Sequence, residues 1–249
     1  MKVGLLGLGT VGGGTATVLL RNAEEIQRRL GRGIELIHIA GLGIAGQTIV
    51  DADKVRLTED AFEVVNDPEV DIVVELIGGY TLAKDLVIKA IENGKHVVTA
   101  NKALIATHGP EIMQAALAKG VNVAYEASVA GGIPIIKAVR EGLAANRINW
   151  IAGIINGTGN FILTEMRDKG RNFDDVLKEA QALGYAEADP TFDIEGIDAA
   201  HKLTILASLA FGIELQFDQC YTEGISKITT EDVVYAGCLL YTSPSPRDS

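Results

Sequence analysis

The feature that most constrains this chain is Gly7-Leu8-Gly9-Thr10-Val11-Gly12. It is a G-x-G-x-x-G directly after the apolar run Val3-Gly4-Leu5-Leu6 and directly before a helical pattern. The spacing alone is a weak signal. Between a strand and a helix it is the context that a pyrophosphate-binding turn requires. The first glycine permits a tight turn, the second lets a phosphate approach the backbone, and the third lets the helix pack close to the strand. The helix start then supplies N–H donors and the positive end of a dipole. Gly7, Gly9, Thr10, Val11 and Gly12 are therefore candidate residues for binding a dinucleotide.

The pattern around this turn predicts the fold class. Apolar, partly β-branched runs at 34–40, 70–76, 97–99 and 121–125 alternate with helical stretches at 10–30, 82–92 and 111–119, with Gly31, Gly94 and Gly120 at or near their ends. Repeated βα units of this kind predict an α/β, Rossmann-like, doubly wound parallel sheet over residues 1–130. After residue 130 the rhythm changes. Gly131-Gly132-Ile133-Pro134 opens a helix, 148–155 reads as one longer strand, and helical stretches follow at 161–167, 173–183 and 197–211. Residues 131–237 are therefore expected to form a second, α+β domain. Residues 238–249 have no periodicity and carry two Ser-Pro pairs, so they read as a disordered or foreign tail.

Composition narrows the classes of function. The 249 residues include 22 Lys+Arg against 33 Asp+Glu, a net charge of −11. That balance argues against a nucleic-acid partner, which a basic face would signal. The apolar stretch 203–213 is shorter than the roughly 18–20 residues of a membrane span, so no membrane partner is expected. Two cysteines, Cys220 and Cys238, make no disulfide framework, and no cluster has zinc spacing. A reducing, cytoplasmic setting is the default reading.

Three further segments carry candidate chemistry. Glu75-Leu76-Ile77-Gly78-Gly79 closes one strong strand, and in a doubly wound sheet ligands lie beyond the carboxyl ends of strands. Ile77, Gly78 and Gly79 are candidates for the nicotinamide half of a cofactor. Thr99-Ala100-Asn101-Lys102 closes the next strand and points Lys102 toward the same crevice, for cofactor, substrate orientation or charge neutralisation. Asp198 and Lys202 stand four residues apart on one face of an otherwise apolar helix. Partial burial there, or a second cation such as Lys102 nearby, would make Lys202 a weaker base suited to proton transfer. The segment 38–46 offers neither the acid that holds a ribose 2′-hydroxyl nor the arginine that accommodates a 2′-phosphate, so the choice of NAD or NADP stays open.

Taken together, the Gly7–Gly12 turn, Thr99–Lys102, Glu126-Ala-Ser-Val129 with Gly131, Asn156-Gly-Thr158, Gly184-Tyr-Ala-Glu187-Ala-Asp189-Pro190 and Asp198-x-x-x-Lys202 resemble the homoserine dehydrogenases over about residues 2–237. The resemblance implies NAD(P)-dependent interconversion of L-homoserine and L-aspartate 4-semialdehyde, on the route to threonine and methionine. It implies Lys202 as proton donor and acceptor and Lys102 as a second active-site lysine. It implies Glu187, Asp193 and Asp198 as substrate-binding acids. Glu126, Val129, Gly131 and Ile133 would form a monovalent cation site, sodium in most members, built from backbone carbonyls. A homodimer is implied as well, with residues 131–237 as the substrate-binding, catalytic and dimerisation domain.

Two departures stand beside the resemblance. The arginine-bearing segment common in NADP-using members is missing after the second strand. The family's catalytic region is also expected to continue past the helix that starts near Thr230. An inactive dinucleotide-binding fragment or regulator is therefore the alternative function. A thioester-forming semialdehyde dehydrogenase would need an activated cysteine, and neither cysteine has a histidine beside it.

Overall fold

The structure, a computed structural model, describes residues 1–239. It divides into two compact units. One comprises Met1–Ile148 and Ile205–Gln216, the other Asn149–Thr204 and the chain from Phe217.

The first unit is built on β1 (Lys2–Leu6), β2 (Glu35–Ala40), β3 (Arg56–Thr58), β4 (Ile72–Glu75), β5 (His96–Thr99) and β6 (Val123–Ala124). These form one six-stranded sheet in the order β3-β2-β1-β4-β5-β6, every neighbouring pair parallel. A parallel sheet needs crossover connections, and these are α1 (Thr10–Arg21), α2 (Ala23–Leu30), α3 (Ala61–Asn66), α4 (Thr81–Glu92) and α5 (Lys102–Lys119). Covered on both faces, the strands bury near-continuous apolar runs: Val3, Leu5, Leu36, Ile39 and Val74 form one cluster with Ala16 of α1. The strand order reverses at β1. The carboxyl ends of β1 and β4 therefore flank the crevice in which such sheets bind ligands.

Several sequence expectations shift here. The helix expected over 10–30 is two helices, broken at Asn22 (φ −105°, ψ 19°). Beyond Leu20 the apolar spacing thins, and α2 buries none of its residues. Strand β3 escaped the sequence reading because it is three residues long and begins with a charged residue. The helix expected from Glu111 starts at Lys102 and runs through Pro110. Proline removes one N–H but does not end a helix that packing holds on both sides. Leu215 packs so close to Gly109 that a Cβ there would overlap it.

After β6, Pro134 precedes α6 (Ile135–Lys137), which continues as a π-helical turn, Ala138–Gly142. The second unit holds α7 (Gly157–Lys169), α8 (Phe173–Ala182), α9 (Thr191–Ile194), α10 (Ile197–Phe211) as far as Thr204, and α11 (Thr230–Cys238). Its apolar cluster is Ile162, Met166 and Val176, packed by Phe161, Phe173, Ile194, Ile225 and Val233. Asparagines at the N-caps start α7 and α8, and a reciprocal Thr229–Asp232 capping box starts α11.

The strand expected over 148–155 is absent. Apolar content made it look like one, but no strand among the described residues pairs with it, and Trp150 and Ile154 are exposed. Of the stretch read as a tail, Cys238 closes α11 and Leu239 follows it; residues 240–249 lie outside the described residues.

Candidate active site

In the first unit, the three fingerprint glycines have three separate physical reasons. Gly7 has φ +92°, and its N–H donates to Ala40 O at 2.8 Å, which ties the turn to β2. A Cβ at Gly12 would overlap the carbonyl oxygen of Gly7, so only glycine lets α1 lie this close to the turn. Gly9 differs. Its φ is −70°, and a Cβ there would meet nothing within 4 Å. Neither backbone conformation nor packing inside the protein requires glycine at that position, whereas a ligand against the backbone would. Gly9 is also the N-cap of α1 and has no side chain to bond the first-turn N–H groups, which Thr10 and Val11 open. The residues present fit a dinucleotide pyrophosphate.

At the carboxyl end of β4, Gly78 and Gly79 both have positive φ (78° and 75°), and Cβ atoms on them would meet nothing within 4 Å. Glu75, fully buried, accepts from Ile77 N (2.9 Å), Gly78 N (3.0 Å) and Thr99 Oγ1 (2.6 Å). At the end of β5, Asn101 caps α5 by accepting from Leu104 N at 3.0 Å, and Lys102 is the first residue of that helix. Beyond β2 the chain turns through Gly41, the exposed Leu42 and Gly43, with no acid and no arginine among them.

The loop that holds Glu126, Val129, Gly131 and Ile133 curves sharply, with positive φ at Ala130 (49°) and Gly132 (86°). The Glu126 carboxylate accepts from Ile136 N (3.0 Å) and Lys137 N (2.9 Å), at the start of α6. Its side chain is thus committed to the backbone. Among the described residues no group of three His, Cys, Asp or Glu side chains is arranged to hold a metal. Any cation in this loop would rely on carbonyl oxygens.

In the second unit, Lys202 of α10 donates to Asp198 Oδ2 at 2.6 Å and to Ile155 O at 2.7 Å. The Lys202 and Asp198 side chains are only 18% and 9% exposed, so this is not a solvated surface pair. Asn156 completes the array. Its Nδ2 donates to Asp193 Oδ1 (2.7 Å) and to Asp198 Oδ2 (2.9 Å), while its Oδ1 accepts from Gly159 N (2.6 Å) as the N-cap of α7. The structure therefore brings Asp193, Asp198 and Lys202 together and adds Asn156. The N-cap signal, an asparagine before a helical run, could have marked Asn156 as structural but not as a bridge. The Glu187 side chain is exposed. Its loop is held by Gln181 Nε2, which donates to Glu187 O (3.1 Å) and Ala188 O (3.3 Å). Thr191 donates twice to Asp189 Oδ1 and so holds that carboxyl below the usual range. Lys102 belongs to the first unit and Lys202 to the second.

A parallel sheet wound outward from β1, with a glycine turn at the reversal, defines a dinucleotide-binding domain of the Rossmann class. Residues 7–126 match the family model described as the NAD-binding domain of homoserine dehydrogenase, and residues 134–241 match the homoserine dehydrogenase model. The chain belongs to the homoserine dehydrogenase family. It is 71% identical over 241 residues to a homoserine dehydrogenase of Pseudomonas aeruginosa, covering 97% of this chain and 55% of that protein. A crystal structure of a homoserine dehydrogenase from Thiobacillus denitrificans is 68% identical, with a TM-score of 0.91 over 96% of this chain and 55% of that one. A hyperthermophilic archaeal homoserine dehydrogenase in complex with NADPH is 28% identical, with a TM-score of 0.76 over 91% and 74% of the two chains. The chain spans about half the length of the curated relatives it matches.

Proposed function

We propose that this chain interconverts L-homoserine and L-aspartate 4-semialdehyde with NAD(P), as a step toward threonine and methionine. The observation that carries the reading is Lys202, a largely buried ammonium group held by Asp198 and the Ile155 carbonyl beside a second acid, Asp193. A bound nicotinamide cofactor supplies the hydride to carbon, or accepts it in reverse. Lys202 would give its proton to the substrate oxygen during reduction and take it from the hydroxyl during oxidation. Asp198 fixes the direction of Nζ, and Asn156 fixes Asp198. Glu187, Asp193 and Asp198 are proposed to bind the substrate, with the Glu187 carboxylate suited to its ammonium group. Lys102 is proposed to face cofactor and substrate from the end of β5, and its charge would favour a developing alkoxide.

Gly7, Gly9, Thr10, Val11 and Gly12 would hold the pyrophosphate, and Ile77, Gly78 and Gly79 the nicotinamide side. A monovalent cation, sodium in this reading, would sit on the carbonyls of Glu126, Val129, Gly131 and Ile133. The strong curvature of that loop supports this. A homodimer is part of the proposal, supported by the exposed Trp150 and Ile154. A cytoplasmic location is proposed from the two free cysteines. Among the described residues, no helix is long and apolar enough to cross a membrane.

The test is nicotinamide absorbance with L-homoserine and either NAD⁺ or NADP⁺, with Lys202→Ala as control. Homoserine-dependent reduction that disappears in the control is the expected result. Dinucleotide binding without reduction would favour an inactive binding fragment, a reading that draws on the half-length match to the relatives.

A further inference from the structure

Glu75 is a buried carboxyl at the carboxyl end of a central strand, where a parallel sheet ordinarily places an apolar side chain. A buried carboxyl costs free energy unless its oxygens are fully bonded. Here they are, and the bonds form a closed circuit. Oε1 accepts from Ile77 N and Gly78 N, and Oε2 accepts from Thr99 Oγ1. Thr99 Oγ1 in turn accepts from Asn101 N at 2.9 Å. Asn101 Nδ2 donates to Gly79 O at 2.7 Å, which returns the circuit to the loop where it began.

The circuit joins two elements at the carboxyl edge of the sheet. One is the Ile77–Gly79 loop. Its glycines have positive φ, and Cβ atoms on them would meet nothing within 4 Å, so Gly78 and Gly79 have no side chains to anchor them. The other is the start of α5, where Asn101 is the N-cap and Lys102 follows. A hydrophobic residue at position 75 could make none of these bonds. We propose that Glu75 is a positioning residue for the nicotinamide half of the cofactor: through one carboxyl it sets the Ile77–Gly79 loop and, by way of Thr99 and Asn101, the start of the helix that carries Lys102. This rests on the dinucleotide reading above.

The test separates the two halves of the cofactor. Affinities for NADH and for ADP-ribose, which lacks only the nicotinamide, are measured on the whole chain and on Glu75→Gln and Thr99→Val. The 2′-phosphorylated counterparts are run in parallel. Thr99→Val removes the hydroxyl link outright, and Glu75→Gln replaces the acceptor of the Thr99 hydroxyl with a donor, each while keeping the shape. The expected result is a loss of about tenfold for NADH, the size of one good hydrogen bond, with ADP-ribose unchanged. Equal losses for both ligands would mean a merely structural role and would overturn the proposal, as would unchanged NADH affinity. If Glu75→Gln does not fold, Thr99→Val decides alone, since it leaves the carboxyl and its two backbone donors in place. If the unsubstituted chain binds neither ligand, the dinucleotide reading fails and this inference falls with it.

Discussion

Lys202 and Asp198 stand one helical turn apart on α10, and their side chains meet at 2.6 Å away from most solvent. Exposed pairs at this spacing are worth a few tenths of a kcal/mol. This one is shielded and is bonded further to Asn156 and the Ile155 carbonyl, so the position of Nζ is fixed. Replacing Lys202 by alanine is expected to lower kcat by about 10²–10⁴-fold, the usual share of a general acid or base. Dinucleotide affinity should stay unchanged, because the fingerprint glycines lie in the other unit. Parallel turnover and binding titrations check this, and a mutant that keeps most of its kcat would refute the assignment.

Asn156 does two jobs, and two substitutions separate them. Alanine removes both the N-cap of α7 and the bridge to Asp193 and Asp198, and should cost at least about 1 kcal/mol on the cap alone. Aspartate keeps a good cap acceptor but replaces the donor with a third carboxylate. Asn156→Asp should therefore disturb turnover more than the integrity of α7. Urea unfolding set beside initial rates reads the difference.

Gly9 and Gly12 should respond oppositely to alanine. A Cβ at Gly12 overlaps the Gly7 carbonyl, so Gly12→Ala is expected to destabilise the chain by about 1–3 kcal/mol or more. A Cβ at Gly9 meets nothing in the protein, so Gly9→Ala should leave the melting temperature near that of the parent and weaken dinucleotide binding. Thermal melts with and without cofactor distinguish the two.

Asp67 gives the first unit an acid-sensitive tie. Burial would raise its carboxyl, but the Glu69 N–H (2.9 Å), His38 Nδ1 (2.8 Å) and the Arg56 guanidinium outweigh that and hold it below the usual range. A depressed carboxyl stabilises the fold fully above its unfolded value of about 3.9, and that stabilisation is lost as pH falls through the lower folded value. Asp67→Asn should thus lower stability at neutral pH by about 1.5–3 kcal/mol, the scale of hydrogen bonds to a charged group. The gap from the parent should narrow in strong acid. Melting temperatures recorded from neutral pH into the acid range test the sign. A gap that widens in acid would contradict it.

What was legible in the sequence was local. The Gly7–Gly12 turn spans six residues between a strand and a helix, and the reasons for Gly7 and Gly12 are set by atoms close along the chain or on the adjoining strands. Lys202 and Asp198 share a helix face by periodicity alone. The alternation of apolar runs and helices dictated a parallel sheet, because parallel strands need crossovers. Apolar content was a poorer guide at 148–155, since a strand exists only when a partner supplies the ladder.

The sequence by itself thus determined the α/β class, the dinucleotide turn and the lysine–aspartate pair. Tertiary structure alone decided the rest. Asn156 reaches Asp193 and Asp198 across 37 and 42 residues, and Thr99 reaches Glu75 across 24. The short strand β3 exists because β2 offers it an edge. Spacing along a chain fixes which side chains share a helix face or a turn. It carries no information on which distant polar groups will meet once burial obliges each of them to find a partner.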